Sequence, residues 1–320
     1  MDMFLSVRAI PPIILKSGVR FLRVMRLLDP LGSIYEGTVY RPPSEATSLI
    51  LQATIGCSHH TCTFCVSYLD KKFRIKSQKE MEHDINAVLP YYRDTRRIFL
   101  ADGDALAMQT PQLLELLAML VKAFPRLERV GIYGSPGNIR KKGVEELKQL
   151  REAGLGIIYI GLESGSDAIL RAVKKGALSK DMIAAARKVK AAGIPLSVIW
   201  ILGLGGKERS EEHARETARV LNAMDPEYAG ALTLMIVEPA PICREIEEGR
   251  LTPLTPKESL EELRRVVVKL ELTGCVFRVN HASNYASIGG SFPKDKDRIL
   301  KQIESALGRE DYKPEWMRGL

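Results

Sequence analysis

The sequence predicts an α/β protein, a partial (β/α)6 TIM-like barrel with a C-terminal α/β cap. Three observations point there. From residue 48 onward, short β-rich runs alternate with longer helical patterns. The runs are apolar almost throughout, as strands buried on both faces of a parallel sheet are. Two helical stretches end alike, in "REAGLGIIYIG" and "KAAGIPLSVIW", where a helix gives way to a glycine and then to a buried strand. That order is a βα unit repeated. Six such units fall short of the eight that close a full barrel in about 250 residues, so an open barrel is predicted.

The six strand candidates are "SLILQATIG", "RRIFLAD", "RVGIYG", "GIIYIGL", "PLSVIWILGL" and "GALTLMIV". Between them the helices carry readable ends. Thr110 reads as an N-cap with Pro111 at the first helical position. Ser179 precedes "KDMIAAARKVKAA", which stops at Gly193 with Pro195 just beyond. Past about residue 245 the pattern changes: "TPKESLEELRRVVVKLEL" is one amphipathic helix, "CVFRVN" a short strand and "DKDRILKQIESAL" a last helix. The expected organisation is a basic extension over residues 1–26, the barrel over 27–245 and the cap over 246–320.

Composition sets outer bounds. With 45% apolar and 27% charged residues, the chain is ordinary for a soluble globular protein. No uninterrupted apolar run approaches the roughly 18 residues of a membrane span. A net charge of +8 suits an anionic ligand but argues weakly for nucleic acid. Five cysteines, an odd number with three clustered, point away from a disulfide scaffold and toward a reducing, cytoplasmic setting. Residues 1–26 hold Arg8, Lys16, Arg20, Arg23 and Arg26 among apolar stretches, a pattern that suits a packed extension or peripheral contact with a membrane surface. Met25 is an alternative start.

Parallel βα folds bind ligands at the C-terminal ends of their strands. Glycine-rich, acidic turns recur there: "ADGDA", "GSPGN", "ESGSD" and "GLGGKE" follow the second to fifth strands. The first strand leads into "GCSHHTCTFC" over residues 56–65, which sets Cys57, Cys62 and Cys65 in a C-x4-C-x2-C loop. A zinc clasp wants four ligands in separated pairs, and His59 or His60 would be cramped as the fourth. A redox pair of Cys62 and Cys65 leaves Cys57 without a role. Three thiolates in one loop suit a 4Fe-4S cluster with one iron left open.

With these motifs in order, the chain resembles the radical S-adenosylmethionine (radical SAM) superfamily over about residues 45 to 240. The aromatic residue before the last cysteine of the loop is Phe64. The glycine–acid motif after the second strand is "DGD" at 102–104. The carboxylate closing the fourth strand is Glu163 in "GLESGS", and the fifth strand ends in "ILGLGG". The first cysteine interval is one residue longer than the superfamily's commonest C-x3-C-x2-C.

The resemblance implies a 4Fe-4S cluster held by Cys57, Cys62 and Cys65, and S-adenosylmethionine chelated at the open iron. Reductive cleavage would yield methionine and a 5′-deoxyadenosyl radical that takes a hydrogen atom from substrate. It further implies that Gly103 and Asp104 serve the methionine amine and that Glu163 takes the ribose hydroxyls. Phe64, Leu202 and Gly203 would flank the adenine. Ser135 and Asn138 would lie near the sulfonium or the substrate, and Lys190 near the methionine carboxylate. An external electron donor of flavodoxin or ferredoxin type follows, with oxygen-sensitive oxidoreductase chemistry. The substrate, a small molecule or a peptide, is not named by any motif. His281 and Asn284 in "NHASN" are candidates to touch it. Cys243 and Cys275 read as small buried hydrophobes. The rival reading is a non-catalytic zinc or iron–sulfur module that binds nucleic acid, which the 6% aromatic content does not favour.

Overall fold

The computed structural model describes residues 31–32 and 34–319, so the basic extension of residues 1–26 lies outside the described residues. The chain groups into two compact units. Among the described residues, the first comprises those up to 58, with 67–134 and 148–156, and the second 59–66, 135–147 and 157–319.

In the first unit, β1 (Leu49–Gln52) and β2 (Thr54–Ile55) run into the cysteine loop, which returns through β3 (Arg74–Ile75) to α1 (Gln78–Tyr92). The chain continues through β4 (Arg97–Ala101), α2 (Thr110–Ala123) and β5 (Arg129–Tyr133). β4 lies between β1 and β5 and pairs in parallel with both, Leu49 opposite Ile98 and Ile98 opposite Val130. β2 and β3 form a separate antiparallel pair, Thr54 opposite Ile75. Leu51, Ile98, Phe99, Leu100 and Ile132 are fully buried, as near-continuous apolar strands of a covered parallel sheet should be. A capping box starts α1: the Glu80 amide donates to Ser77 Oγ, and the Ser77 amide donates to the Glu80 carboxylate at 2.7 Å.

The boundary between the units runs through α4 (Val144–Glu152), which follows α3 (Pro136–Lys141), and through β6 (Leu155–Glu163). The second unit then holds α5 (Asp167–Ala172), α6 (Ser179–Ala191), β7 (Leu196–Leu202), α7 (Ser210–Met224) and β8 (Tyr228–Thr233). It ends with α8 (Ile242–Glu247), α9 (Pro256–Val268), β9 (Val276–Val279), β10 (Ile288–Ser291) and α10 (Lys296–Arg309). β6, β7, β8 and β9 pair in parallel in that order, and β10 closes the edge antiparallel to β9.

All six strand candidates are strands. "CVFRVN" is β9, and it continues the parallel sheet beside β8, with Tyr228 opposite Val276. Two helix starts differ by one residue from the sequence reading. α2 and α6 begin at Thr110 and Ser179 themselves, because the third helical residue reaches back to cap the preceding amide. Gln112 accepts from the Gln109 amide, and Asp181 accepts from the Leu178 amide. The end of α6 is as expected: Gly193 has φ +70°, its amide donates to the Lys190 carbonyl, and the Ile194 amide donates to that of Val189. This is a Schellman ending, which needs a residue at ease in the left-handed region. No helix of the described residues is long and apolar enough to cross a membrane.

The core of the second unit is knit by aromatics. Trp200 of β7 stacks on Phe277 of β9 with ring centroids 5.9 Å apart, and Phe277 meets Phe292 edge-on at 5.6 Å. Phe277 is fully buried. Truncating it should leave a cavity between two strands, so Phe277→Ala is expected to cost about 3–5 kcal/mol in urea unfolding. A loss below about 1 kcal/mol would show that β9 is not part of the core.

Candidate functional site

The first unit contributes Cys57, Gly103 and Asp104. Cys57 follows β2, and the "DGD" turn follows β4. The two segments are zipped together: the Ala53 amide donates to the Ala101 carbonyl at 2.6 Å, the Asp102 amide to the Thr54 carbonyl at 3.1 Å, and the Gly103 amide to the Gly56 carbonyl at 3.1 Å. Asp102 is fully buried. Its Oδ2 accepts from the Gly56 amide at 3.0 Å, Gln52 Nε2 at 2.8 Å and Lys71 Nζ at 2.8 Å. Its Oδ1 is buried and meets no donor among the described residues. Asp104, also fully buried, accepts from the Ser58 hydroxyl. Gly103 has no room for a side chain, since a Cβ there would lie 2.6 Å from the Tyr68 ring and 2.8 Å from Cys57 Cβ.

The second unit contributes Cys62, Phe64 and Cys65. Thr63 anchors this part of the loop at both backbone groups: its amide donates to the Val173 carbonyl at 3.0 Å, and its carbonyl accepts from the Ile242 amide at 2.9 Å. The Cys65 amide donates to the Cys62 carbonyl at 3.3 Å. Burial pushes the Cys62 thiol up to about 11; the Lys175 ammonium opposes this, while Glu163 and Cys65 add to it. Phe64 packs on an apolar cluster that includes Ile169, Val173, Leu204 and Ile242. His59 is a structural residue, its Nε2 lying 2.8 Å from the Lys174 carbonyl and its ring filling the place of a side chain at Gly176. His60 is exposed.

Around this loop segment stand the strand ends of the second unit. A register shift between Gly161 and Glu163 ends β6, and Glu163 sits at φ +60°. A bulge re-aims the side chain that follows it, and the absent Cβ of Gly161 leaves the space that the Glu163 carboxylate occupies. Lys175 Nζ donates to Glu163 Oε1 at 2.8 Å. Gly203, at φ +80° beyond Leu202, donates its amide to Glu262 Oε1 at 2.8 Å. His213 joins the neighbouring turns. Its Nε2 donates to the Ile201 carbonyl at 3.1 Å, since that oxygen can only accept, and its Nδ1 lies 2.8 Å from the Ser164 hydroxyl. Ser135 caps α3 through the Asn138 amide, and Asn138 Oδ1 accepts from Lys141.

Three expected residues lie elsewhere or are engaged otherwise. Lys190 sits in the last turn of α6, just before β7 starts, and its ammonium binds the carbonyl and carboxylate of Asp225. That is the opposite end of the βα unit from the glycine-rich turns, so Lys190 is not among the strand-end residues. Asn284 is buried and bonded at both side-chain polar atoms: its Oδ1 accepts from Thr233 Oγ1 at 3.0 Å, and its Nδ2 donates to the Ala231 carbonyl at 2.9 Å. It fastens the loop of residues 280–285 to β8. His281 is turned onto the same loop, its Nδ1 accepting from the Ser283 amide at 3.1 Å.

Lys175, His213 and Glu262 were missed by sequence reasoning. Glu262 left a signal, because it lies on the apolar face of α9 between Ser259 and Val266, where a solvated glutamate does not belong. Lys175, in a loop, left none.

Among the described residues no group of three His, Cys, Asp or Glu side chains forms a closed metal site. The donor set itself is chemically clear. The five cysteines are thiols outside any disulfide, three of them within one loop, and Cys57 is packed against a glycine that admits no Cβ. A sulfur-only set of this kind fits an iron–sulfur cluster.

Comparison with known proteins gives the same direction. The family model for the Radical SAM superfamily matches residues 51–221, more than half of the chain. The heme chaperone HemW of Bacillus subtilis (strain 168) is 25% identical over 241 residues, 73% of this chain and 62% of that protein. The 4′-phospho-dehydrooxetanocin synthase of Priestia megaterium is 26% identical over 174 residues, 48% of this chain and 23% of that enzyme. Among solved structures, coproporphyrinogen III oxidase (HemN) from Escherichia coli matches with a TM-score of 0.54 at 17% identity, covering 69% of this chain and 51% of that one. The chain thus spans under two thirds of the length of each of these proteins. The structural likeness shows the fold, an α/β partial barrel with a parallel sheet.

His281 supplies a pH test of the 280–285 loop. Burial, aided by the Lys313 charge, lowers its pKa from 6.5 to about 4. As pH falls below 6.5 the unfolded chain therefore binds this proton first, and the stability that neutral His281 contributes is lost as pH drops toward 4. The effect is bounded at about 3 kcal/mol. Urea unfolding near neutral pH and near the lower value should show this loss in the wild type. His281→Asn, which keeps an acceptor for Ser283, should remove that part of the slope.

Proposed function

The chain belongs to the Radical SAM superfamily, and from that membership we propose that it is a radical SAM enzyme. It would bind a 4Fe-4S cluster and S-adenosylmethionine and abstract a hydrogen atom from its substrate. The observation that carries this reading is the order of the motifs inside the matched span: the cysteine loop, "DGD", "GLESGS" and "LGLGG", all between residues 51 and 221. Cys57, Cys62 and Cys65 would hold the cluster. When bound, the cluster supplies the electron that splits S-adenosylmethionine into methionine and a 5′-deoxyadenosyl radical.

The chain's own residues position and shield. Gly103 and Asp104 would offer the turn after β4 to the methionine amine. Glu163 is aimed by its bulge and steadied by Lys175, and it would accept hydrogen bonds from the ribose diol, as a carboxylate can. Leu202, Gly203 and Phe64 would meet the adenine, with the apolar cluster behind Phe64 excluding water. Ser135 and Asn138 would lie toward the sulfonium or the substrate. An external donor of flavodoxin or ferredoxin type would supply the electron.

Anaerobic reconstitution should give a brown, oxygen-sensitive protein that forms 5′-deoxyadenosine when dithionite and S-adenosylmethionine are added. Cys62→Ala should lose both the colour and the product. Protein that takes up a full, reducible cluster yet never cleaves S-adenosylmethionine would overturn the enzymatic reading.

A second reading has one observation behind it, the 25% identity with a heme chaperone over 73% of the chain. On that reading the protein binds haem and passes it on. A hemin titration separates the two: a saturable Soret shift with no 5′-deoxyadenosine favours the chaperone.

A further inference from the structure

We propose that the "DGD" turn is a clamp that positions Cys57, the first of the three loop thiols, and that the buried side-chain oxygen of Asp102, whose charge Lys71 balances, sets the clamp. The inference rests on the cluster reading above and concerns how the chain prepares one ligand for it.

The bonds bracket Cys57 on both sides. Asp102 Oδ2 takes the amide of Gly56, the residue before the cysteine, at 3.0 Å. Asp104 takes the hydroxyl of Ser58, the residue after it. Between the two acids, the Gly103 amide donates to the Gly56 carbonyl at 3.1 Å, and the bare Cα of Gly103 lies directly under the cysteine, where a Cβ would come within 3.2 Å of Sγ. Asp102 and Gly103 thus hold Gly56, Gly103 packs against Cys57, and Asp104 holds Ser58.

Lys71 belongs to the same assembly. Its side chain is 4% exposed, and its ammonium donates to Asp102 Oδ2 at 2.8 Å and to the Thr38 carbonyl at 2.6 Å. The pair lies outside the residues assigned to cluster or cofactor, so it acts through the position of Cys57. Residues that orient a metal ligand typically contribute about 10- to 100-fold in metal retention.

Two double variants separate positioning from charge. Asp102→Asn with Lys71→Met removes both charges but keeps an oxygen for the Gly56 amide. Asp102→Ala with Lys71→Met removes the charges and the oxygen together. Neither leaves an unpaired buried charge, the change that would otherwise dominate. The readouts are release of iron from reconstituted protein to a chelator and alkylation of Cys57 in apoprotein, followed by peptide mass spectrometry.

The Asn/Met protein should behave like the wild type. The Ala/Met protein should release iron about 10- to 100-fold faster, with Cys57 alkylated faster while Cys62 is unchanged. Equal release from the two double variants would overturn the clamp. Should the Ala/Met protein fail to fold by circular dichroism, Gly103→Ala decides, because it leaves Lys71 and Asp102 intact and crowds Cys57 together with the Tyr68 ring behind it. Fast iron release then supports the clamp, and wild-type retention overturns it. If the wild type takes up no cluster at all, the proposed function fails, and Cys57 alkylation still tests the clamp by itself.

Discussion

A loop with no strand or helix of its own has no ladder to satisfy its backbone, and buried amides and carbonyls are seldom left unpaired. The segment that carries Cys57, Cys62 and Cys65 lives under that constraint. In the first unit Gly56 is answered at both its amide and its carbonyl by the "DGD" turn. In the second, Thr63 is answered at both groups by Val173 and Ile242. Packing alone would not fix such a loop, because one apolar contact is as good as another nearby, whereas a buried hydrogen bond has one geometry. The glycines follow from this. With the segments drawn this close, the Tyr68 ring and the Cys57 side chain leave no room for a Cβ at Gly103, and the loop histidine takes that room at Gly176.

Two carboxylates show how burial divides structural from available charge. Asp102 and Lys71 are both almost wholly enclosed; the ammonium and two further donors converge on Asp102 Oδ2, and the ammonium also reaches a carbonyl. Such a pair is a poor source of stability, because desolvation consumes most of the attraction; its use is to fix where the neighbouring backbone goes. Glu163 differs. Its side chain and that of Lys175 keep 12% and 15% exposure, and the pair is a single contact at 2.8 Å. A carboxylate with one ion-pair partner among the described residues and a partly exposed side chain can exchange or add partners when a diol arrives, which the enclosed Asp102 oxygen cannot. The left-handed φ of Glu163 belongs to the same picture, since strain of this kind persists where the surroundings enforce it, often at sites of function.

The sequence made most of the strand order legible, because buried parallel strands write long apolar runs and their helices carry caps and glycine stops. The pairing of β9 was hidden, since a four-residue strand with only Phe277 and Val279 turned inward has too short a pattern to tell core from cover. The motif positions Cys57, Gly103, Glu163 and Gly203 could be read as a set because each ends or follows a strand. Lys190 could not be placed correctly that way: a lysine near a helix end reads the same whether it faces the strand tips or, as here, the Asp225 cap at their far side. Lys175 was invisible for the complementary reason, being a loop lysine beside another lysine, with its role fixed entirely by where the chain returns after α5.

The support beneath the rim extends the same logic into the C-terminal segment. His213 on α7 ties the turn after β6, through Ser164, to the end of β7, through Ile201. Glu262 on α9 takes the next amide along, that of Gly203, at 2.8 Å, and its Oε1 lies 3.6 Å from His213 Nε2. Two turns that read as separate motifs therefore share one buried support built by two helices. A helix that only covered a finished barrel would present apolar side chains to it. α9 presents a fully buried carboxylate whose accepted bond is with a strand-end amide in the left-handed region. The C-terminal segment is thus a working part of the second unit's rim, and the position of Gly203 depends on it as directly as that of Cys57 depends on the turn that follows β4.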